Sequence, residues 1–129
     1  MDDPLYLVDG FNLLHAVVLV GRERANWWGA AGQARVVELA EQFDAGEVCV
    51  VFDDRGKGRV SRTERVDVQF APDADEYIVQ HCASLRGSRS VVVVSADRAL
   101  CDRSAHRGAS RLSPWKFRER CTARGGVGK

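Results

Sequence analysis

The sequence predicts an α/β fold in which a mainly parallel central sheet is flanked by helices. Segments rich in β-branched residues alternate with segments whose apolar residues recur at helical spacing. Two strand segments, "EVCVVFDD" and "SRSVVVVSAD", contain continuous apolar runs, which are typical of strands buried on both faces. Strands that alternate with helices form a parallel sheet covered on both faces.

The first half of the chain is predicted to contain three strands and two helices. The apolar run of Leu5–Asp9 predicts a buried strand, and Asn12–Val20 follows as a short helix. Apolar residues fall on one helical face across Gln33–Phe43. Glu47–Asp54 reads as a buried strand that ends in two acids. The alternation of apolar and polar residues in Arg65–Phe70 predicts a strand with one face less buried.

The second half continues the alternation. Ala74–Leu85 places its apolar residues on one helical face, and the run of four valines that follows it predicts the clearest strand of the chain. A short helix from Asp97, a brief strand at Ser110–Leu112 and a last helix from Pro114 complete the pattern. We expect a single domain over residues 1–129, with its core at about residues 5–120 and a flexible tail at 121–129.

Composition restricts the class of protein. The chain has 129 residues, of which 45% are hydrophobic and 29% are charged, as in an ordinary soluble domain. No apolar stretch reaches the length of a membrane span, and the acidic N-terminus lacks the basic start of a secretory signal. The four cysteines are scattered, with no C-x-x-C pair, and suggest thiols of a reducing compartment. We therefore expect a cytoplasmic protein without membrane partners.

The net charge of +1 conceals an asymmetry along the chain. Residues 1–85 carry 8 Lys/Arg against 15 Asp/Glu, a balance of −7, whereas residues 86–129 carry 11 against 3, a balance of +8. Such a division is compatible with an acidic metal-binding centre beside a surface for polyanions, or with a solvated basic tail.

Four acids are predicted to meet at one edge of the sheet. Asp9 and Asp53 each end a predicted strand, and Asp97 follows the strand of four valines. Asp75 lies at the start of the helix that follows the strand Arg65–Phe70. Parallel strands end at the same edge, which is where ligands bind in open α/β sheets. Each acid alone has a structural explanation as a helix cap or a turn residue. Four converging carboxylates would repel one another without a cation, so together they predict a metal site.

The ligand types indicate which metal would bind. Carboxylates without Cys or His favour a hard cation, Mg²⁺ or Mn²⁺, as one or two ions. A water bound to such an ion can attack a phosphodiester. We expect Asn12 and Ser95 to support the site by orienting Asp9 or a phosphate. Glu76 is a candidate supporting acid or proton acceptor, although it also has the spacing of a capping box with Asp73.

Several segments together resemble a known family. "LVDGFNLLHA", "VVFDD", "VDVQF" followed by "ADEYI", and "VVVVSADRAL" with "RGAS" are similar to the YacP-like branch of the NYN domain family, a group of PIN-like ribonucleases. The resemblance extends from about Leu5 to Arg120 and follows the family's order of motifs. It implies a three-layer Rossmann-like PIN fold.

The resemblance also implies an activity, which is endonucleolytic hydrolysis of RNA with a carboxylate-held Mg²⁺ or Mn²⁺ and an activated water. The family's acidic positions, catalytic and metal-binding, fall on Asp9, Asp53, Asp75 and Asp97, and Asn12 lies in its first motif. The implied partner is RNA, whether tRNA, rRNA or mRNA, free or on the ribosome. The expected products carry a 5′-phosphate and a 3′-hydroxyl.

Basic residues near the acids are expected to bind RNA phosphates without reading sequence. They come from the loop before the third strand and from the segment beyond the fourth acid: Lys57, Arg59, Arg62, Arg65, Arg98, Arg107 and Arg111. Trp27 and Trp28 are candidates for stacking on an unpaired base, although packing in the core is favoured for at least one of them.

Two other functions fit parts of the pattern. A PIN-like module that binds RNA without catalysis would be indifferent to replacement of Asp97. A phosphatase or phospho-acceptor domain of flavodoxin-like shape would also collect acids at strand ends. A receiver-type domain, however, pairs acids after its first strand, where this chain has a single Asp9.

Overall fold

The chain, analysed as a computed structural model that describes residues 3–18, 29–54 and 59–126, has the predicted α/β fold. Five parallel strands form one sheet in the order β3-β2-β1-β4-β5. The strands are β1 (Leu5–Asp9), β2 (Glu47–Asp53), β3 (Val66–Ala71), β4 (Val91–Val94) and β5 (Ser110–Leu112). We call the edge at which these strands end the carboxyl edge, and the edge at which they begin the amino edge.

Helices cover both faces of the sheet and complete three layers. They are α1 (Gly10–Leu13), which continues as a π-helical segment (Leu14–Val18), α2 (Ala30–Ala40), α3 (Ala74–Leu85), α4 (Arg98–His106) and α5 (Pro114–Gly126). One core cluster joins the sheet to α1, α2 and α5, and a second joins the opposite face to α3 and α4. The three-layer arrangement inferred from the sequence is therefore confirmed.

The period of two along β1 divides its side chains between the two cores. Tyr6 and Val8 lie in the cluster with α1, α2 and α5, whereas Leu5 and Leu7 lie in the cluster with α3 and α4. Asp9 continues the second series, so its side chain is on the face that α3 and α4 cover. The same alternation in β2 puts Cys49 and Val51 on that face. Asp53, two residues after Val51, continues this series and is on the same face.

Some element boundaries differ from the sequence prediction. The first helix begins at Gly10 rather than Asn12. The second occupies Ala30–Ala40 rather than Gln33–Phe43, because turn hydrogen bonds close it after residue 40. Phe43 is nevertheless buried, since its ring packs edge-on against Tyr6 at a centroid distance of 4.6 Å.

The C-terminal boundary also lies further along the chain than predicted. The sequence suggested a tail from residue 121, but α5 continues to Gly126 and Cys121 is fully buried in the core. The four cysteines, Cys49, Cys82, Cys101 and Cys121, are buried and free, as expected of thiols in apolar surroundings. No helix among the described residues is long and apolar enough to span a bilayer.

Candidate active site

Asp9 occupies the position at which an open parallel sheet forms its ligand crevice. The strand order reverses between the neighbours β1 and β4, and the crevice in such folds lies at the carboxyl ends of those strands. Asp9 ends β1 there, with only 9% of its surface exposed. Gly10 follows because a Cβ at that position would lie 2.5 Å from the ring of Phe52. Glycine thus allows α1 to begin directly above the sheet.

The environment of Asp9 disfavours its charged form. The pKa of the Asp9 carboxyl is raised to about 6, and burial is the main cause. The negative charges of Asp75 and Asp97 also raise this pKa. The Ser95 hydroxyl and the backbone N–H of Asn12 oppose them by stabilising the carboxylate. A cation close to Asp9 would relieve this penalty, because it favours the ionised form.

Ser95 connects two of the predicted acids. Its hydroxyl donates to Asp9 Oδ2 at 3.1 Å and accepts from the backbone N–H of Asp97 at 3.0 Å. Asp97 in turn caps α4, since its Oδ1 accepts from the backbone N–H of Leu100 at 3.1 Å. Ser95 is buried, so these bonds are shielded from water. The capping explanation for Asp97 and its place beside Asp9 are therefore compatible.

Asn12 contacts the loop after β4 rather than Asp9 through its side chain. Its Oδ1 accepts from the backbone N–H of Ala96 at 2.8 Å. The sequence analysis expected this amide to orient Asp9 or a phosphate, a role that would use the Nδ2 donor and that stays a prediction. The oxygen is already engaged by the chain between Ser95 and Asp97. Asn12 therefore fixes the position of the segment that carries Asp97.

Asp75 is influenced by several neighbouring charges, among them that of Asp53. Asp75 lies in the first turn of α3, which Asp73 caps by accepting from the backbone N–H of Glu76 at 3.1 Å. The pKa of Asp75 is raised, first by burial and then by the charge of Asp97. The charges of Asp73 and Asp53 raise it further, while Arg103 opposes them. Of the acids predicted to converge, Asp9 and Asp75 thus have pKa values raised in part by the charges of the others.

Glu76 points its carboxylate toward basic and amide groups on the helices. Its oxygens accept from Arg103 at 2.7 Å and from Gln80 at 2.9 Å. These contacts lower the pKa of Glu76, the hydrogen bond from Arg103 being the largest cause. A carboxylate held in this way joins α3 to α4 and is poorly suited to accept a proton. These contacts give Glu76 a structural role, and the supporting role stays a prediction.

The donor types of this group fit a hard divalent cation. Asp9, Asp53, Asp75 and Asp97 offer carboxylate oxygens, which Mg²⁺ and Mn²⁺ prefer. Among the described residues, however, no three His, Cys, Asp or Glu side chains stand close enough together to hold an ion. The site therefore has the required chemistry, and its carboxylates would have to draw together around the ion.

Three of the predicted RNA-binding residues lie at the carboxyl edge. Arg59 pairs with Asp54 at 2.8 Å, directly after β2, and its guanidinium lies 4.6 Å from the centre of the Phe70 ring. Arg98 follows Asp97 as the first residue of α4. Arg111, from β5, lines the same cavity as Arg98. Arg59 is thus on the β2 and β3 side of this edge, and Arg98 and Arg111 are on the β4 and β5 side.

The remaining predicted basic residues are not brought to the acids. Arg62 pairs with Asp67 at 3.3 Å, and Arg65 donates to the backbone carbonyl of Phe43 at 2.9 Å. Arg107 lies between α4 and the start of β5. All three are at the amino edge, because each lies close to the start of a strand. Lys57, Trp27 and Trp28 fall outside the described residues.

Sequence reasoning missed two residues at the carboxyl edge. Trp115 and Lys116 lie in the first turn of α5 and line the cavity that contains Ser95, Arg98 and Arg111. A helix that follows a parallel strand begins at the carboxyl edge, just as the strand ends there. If the argument used for the acids had also been applied to the starts of helices, it would have placed both residues beside the site.

Fold and site together define a PIN-like, nuclease-type domain. A Rossmann-like order of parallel strands brings carboxylates from separate parts of the chain to the point where that order reverses. The chain belongs to the YacP-like NYN domain family, whose family model matches residues 6–125. This family is nuclease-related. No curated protein matches the chain by sequence.

Solved structures show the same fold. The crystal structure of Rae1 (YacP) from Bacillus subtilis is 22% identical, with a TM-score of 0.80 over 98% of this chain and 76% of that chain. The W164L mutant of the same protein is 24% identical, with a TM-score of 0.77 over 98% of this chain and 78% of that chain. At these identities the likeness concerns the fold.

Proposed function

We propose that the chain is a metal-dependent endoribonuclease that hydrolyses RNA phosphodiester bonds. The observation that carries this proposal is the position of Asp9 at the carboxyl end of β1, where the strand order reverses and where the Ser95 hydroxyl links its carboxylate to the backbone of Asp97. Membership of a nuclease-related family supports a hydrolytic activity. The basic side chains that flank the acids support a polyanionic substrate, RNA.

Asp9, Asp75 and Asp97 would hold Mg²⁺ or Mn²⁺, with Asp53 completing the set or supporting a second ion. The bound ion supplies positive charge to the scissile phosphate and a water of lowered pKa. Ser95 holds the Asp9 carboxylate and the Asp97 backbone in a fixed relation. Asn12 anchors the short segment between Ser95 and Asp97 through its bond to Ala96. Arg59, at the side of the site near β2 and β3, would bind a phosphate of the substrate.

The proposed setting is the cytoplasm, where RNA is present and thiols stay reduced. Four free, buried cysteines support a reducing compartment.

The test is a cleavage time course on structured and single-stranded RNAs with Mn²⁺, with Mg²⁺ and with EDTA. Wild type is compared with Asp97→Asn, which keeps a residue able to cap α4 and so should remain folded. We expect cleavage that needs metal, leaves 5′-phosphate ends and is lost in the variant. Equal RNA binding by both proteins without cleavage by either would instead favour a PIN-like RNA-binding module.

A further inference from the structure

A cavity of about 420 Å³ opens beside the acids, on the side of β4 and β5. Ser95 forms part of its lining, and the hydroxyl of the same residue donates to Asp9 Oδ2 at 3.1 Å. Arg98, Arg111 and Trp115 also line it. The cavity is therefore next to the carboxylates, and its volume lies in the range of sites that bind small organic groups.

The two arginines of this cavity are available to a ligand. Within the described part of the chain, no hydrogen bond or ion pair engages the guanidinium of Arg98 or Arg111. Other arginines differ: Arg59 pairs with Asp54 and Arg103 pairs with Glu76. Unpaired guanidinium groups next to an acidic centre are suited to bind phosphates, because their planar donors match phosphate oxygens.

Trp115 adds an aromatic surface to the same cavity. The residue is 51% exposed, and it is the one large hydrophobic residue so exposed in the described ranges. A single exposed tryptophan is ordinary on a protein surface. Here the ring lines a cavity together with two unpaired guanidinium groups, and that combination matches a nucleotide, which has a flat base and a charged phosphate.

We propose that this cavity is a subsite for one unpaired RNA nucleotide adjacent to the scissile phosphate. Its base stacks on Trp115, and its phosphates pair with Arg98 and Arg111. The inference rests on the proposed function, since the carboxylates beside the cavity define which phosphate is cut. It makes the substrate single-stranded at this position, because a base stacked within a duplex cannot expose its face to Trp115.

The first test measures binding in EDTA, so that no cleavage is needed. A fluorescent single-stranded oligoribonucleotide and a hairpin stem are titrated with the full chain. Trp115→Ala should weaken single-strand binding about 5- to 100-fold, as expected for a lost base–aromatic stack, and Trp115→Phe should largely restore it. Binding of the stem should not change. Equal single-strand affinities for wild type and Trp115→Ala would overturn the subsite, as would absence of single-strand binding by wild type.

The phosphate contacts have a separate readout in salt. The double variant Arg98→Gln/Arg111→Gln should reduce the slope of log affinity against log salt by about 1.4, because two phosphate contacts on a single strand are lost. Arg86→Gln is the matched control. Arg86 is exposed at the amino edge, where it donates to the carbonyl of His106 at 3.2 Å. A slope that falls equally in the control and in the double variant would contradict the assignment.

Crosslinking separates this inference from the proposed activity. Oligonucleotides with 5-iodouridine at successive positions are irradiated with the chain, and the crosslinked tryptophan is identified by mass spectrometry. We expect crosslinks to Trp115 at one position, which in the presence of metal is the nucleotide next to the cleaved bond. Crosslinking to Trp115 without cleavage would reject the nuclease and keep the nucleotide site. Cleavage with no Trp115 crosslink and no effect of Trp115→Ala would reject the subsite and keep the nuclease.

Discussion

Charged side chains are arranged differently at the two edges of the sheet. At the amino edge opposite charges are paired, as in Arg62 with Asp67 at 3.3 Å and Arg89 with Glu47 at 3.0 Å. At the carboxyl edge Arg59 also pairs with Asp54, but there the pKa of the buried Asp9 carboxyl is raised by burial and by the charges of Asp75 and Asp97. The same backbone geometry produces both edges, since both collect the ends of parallel strands. The carboxyl edge differs in holding a buried carboxyl, Asp9, whose negative charge a cation would neutralise.

This contrast indicates that the carboxyl edge is the part of the fold where function lowers stability. Exposed pairs at the amino edge contribute little to stability, typically up to about 1 kcal/mol each. The carboxyl edge is destabilised by a buried carboxyl and by like charges, and binding of a cation would repay part of that cost. The following substitutions compare matched residues at the two edges.

The largest expected effect concerns Asp9→Asn and its control, Asp67→Asn. Asp9→Asn removes a charge from the buried acidic group and should lower RNA cleavage about 100-fold or more, as for loss of several kcal/mol of charge stabilisation. Asp67→Asn removes an exposed pair with Arg62 and should leave cleavage unchanged. Rates are measured on one RNA at saturating Mn²⁺. Equal rates for Asp9→Asn and wild type would refute the active site.

Asp9 should also make stability depend on pH in the metal-free protein. The pKa of Asp9 in the folded protein, about 6, lies above the ordinary aspartate value of 3.8. Asp9 therefore contributes fully to stability below pH 3.8, and this contribution is lost as pH rises through 6. The loss amounts to at most about 3 kcal/mol. Urea unfolding in EDTA should therefore show Asp9→Asn gaining stability over wild type at pH 7.5, and the difference should vanish near pH 4.

A smaller effect is expected where Ser95 connects Asp9 to Asp97. Ser95→Ala removes both hydrogen bonds and should lower cleavage about 10- to 100-fold, the usual cost of losing a group that orients a metal ligand. Ser104→Ala is the control, because Ser104 is equally buried but lies beside Cys82. Its activity per folded molecule should match wild type. If Ser104→Ala lowers activity as much as Ser95→Ala, the effect is one of packing rather than orientation.

The smallest effect compares Arg59→Gln with Arg62→Gln. Both arginines are exposed and both pair with an aspartate, but Arg59 is at the carboxyl edge and Arg62 at the amino edge. Arg59→Gln should weaken single-strand RNA binding a few-fold and lower its salt slope by about 0.7, as for one lost phosphate contact. Arg62→Gln should change neither quantity. The reverse result would move the RNA path to the amino edge.

Strand ends were predictable from the sequence, and the structure shows why. Alternating apolar segments fixed the order of elements, and β5 has the predicted bounds of Ser110–Leu112. The edge argument brought Asp9 and Asp97 together because every strand is parallel. The alternation of side chains along a strand puts Leu7 and Val51 on the face of α3 and α4, and it carries Asp9 and Asp53 to the same face. Counting in steps of two along each strand could therefore have predicted which face of the sheet these acids occupy.

Loop and side-chain contacts were harder to predict, because they depend on three-dimensional neighbours. Nothing in the order of residues shows that the Asn12 amide meets the backbone of Ala96, 84 positions away. Residues 59–65 lead from one edge of the sheet to the other, so Arg59 and Arg65 lie apart although they are close in sequence. Helix boundaries shifted for a similar reason, since Phe43 is held by packing rather than by helical periodicity.

The bond between Ser95 and Asp9 spans 86 positions of sequence and joins the two adjacent strands β1 and β4. Strands β3 and β5 form the outer margins of the sheet, where backbone hydrogen bonds open most readily. The backbone hydrogen bonds of β3 and β5 can therefore open and close while the Ser95–Asp9 contact persists. In hydrogen exchange, the amides around that contact should exchange only through the rarest and most extensive openings of the molecule, so the pairing of Ser95 with Asp9 would persist until the domain as a whole unfolds.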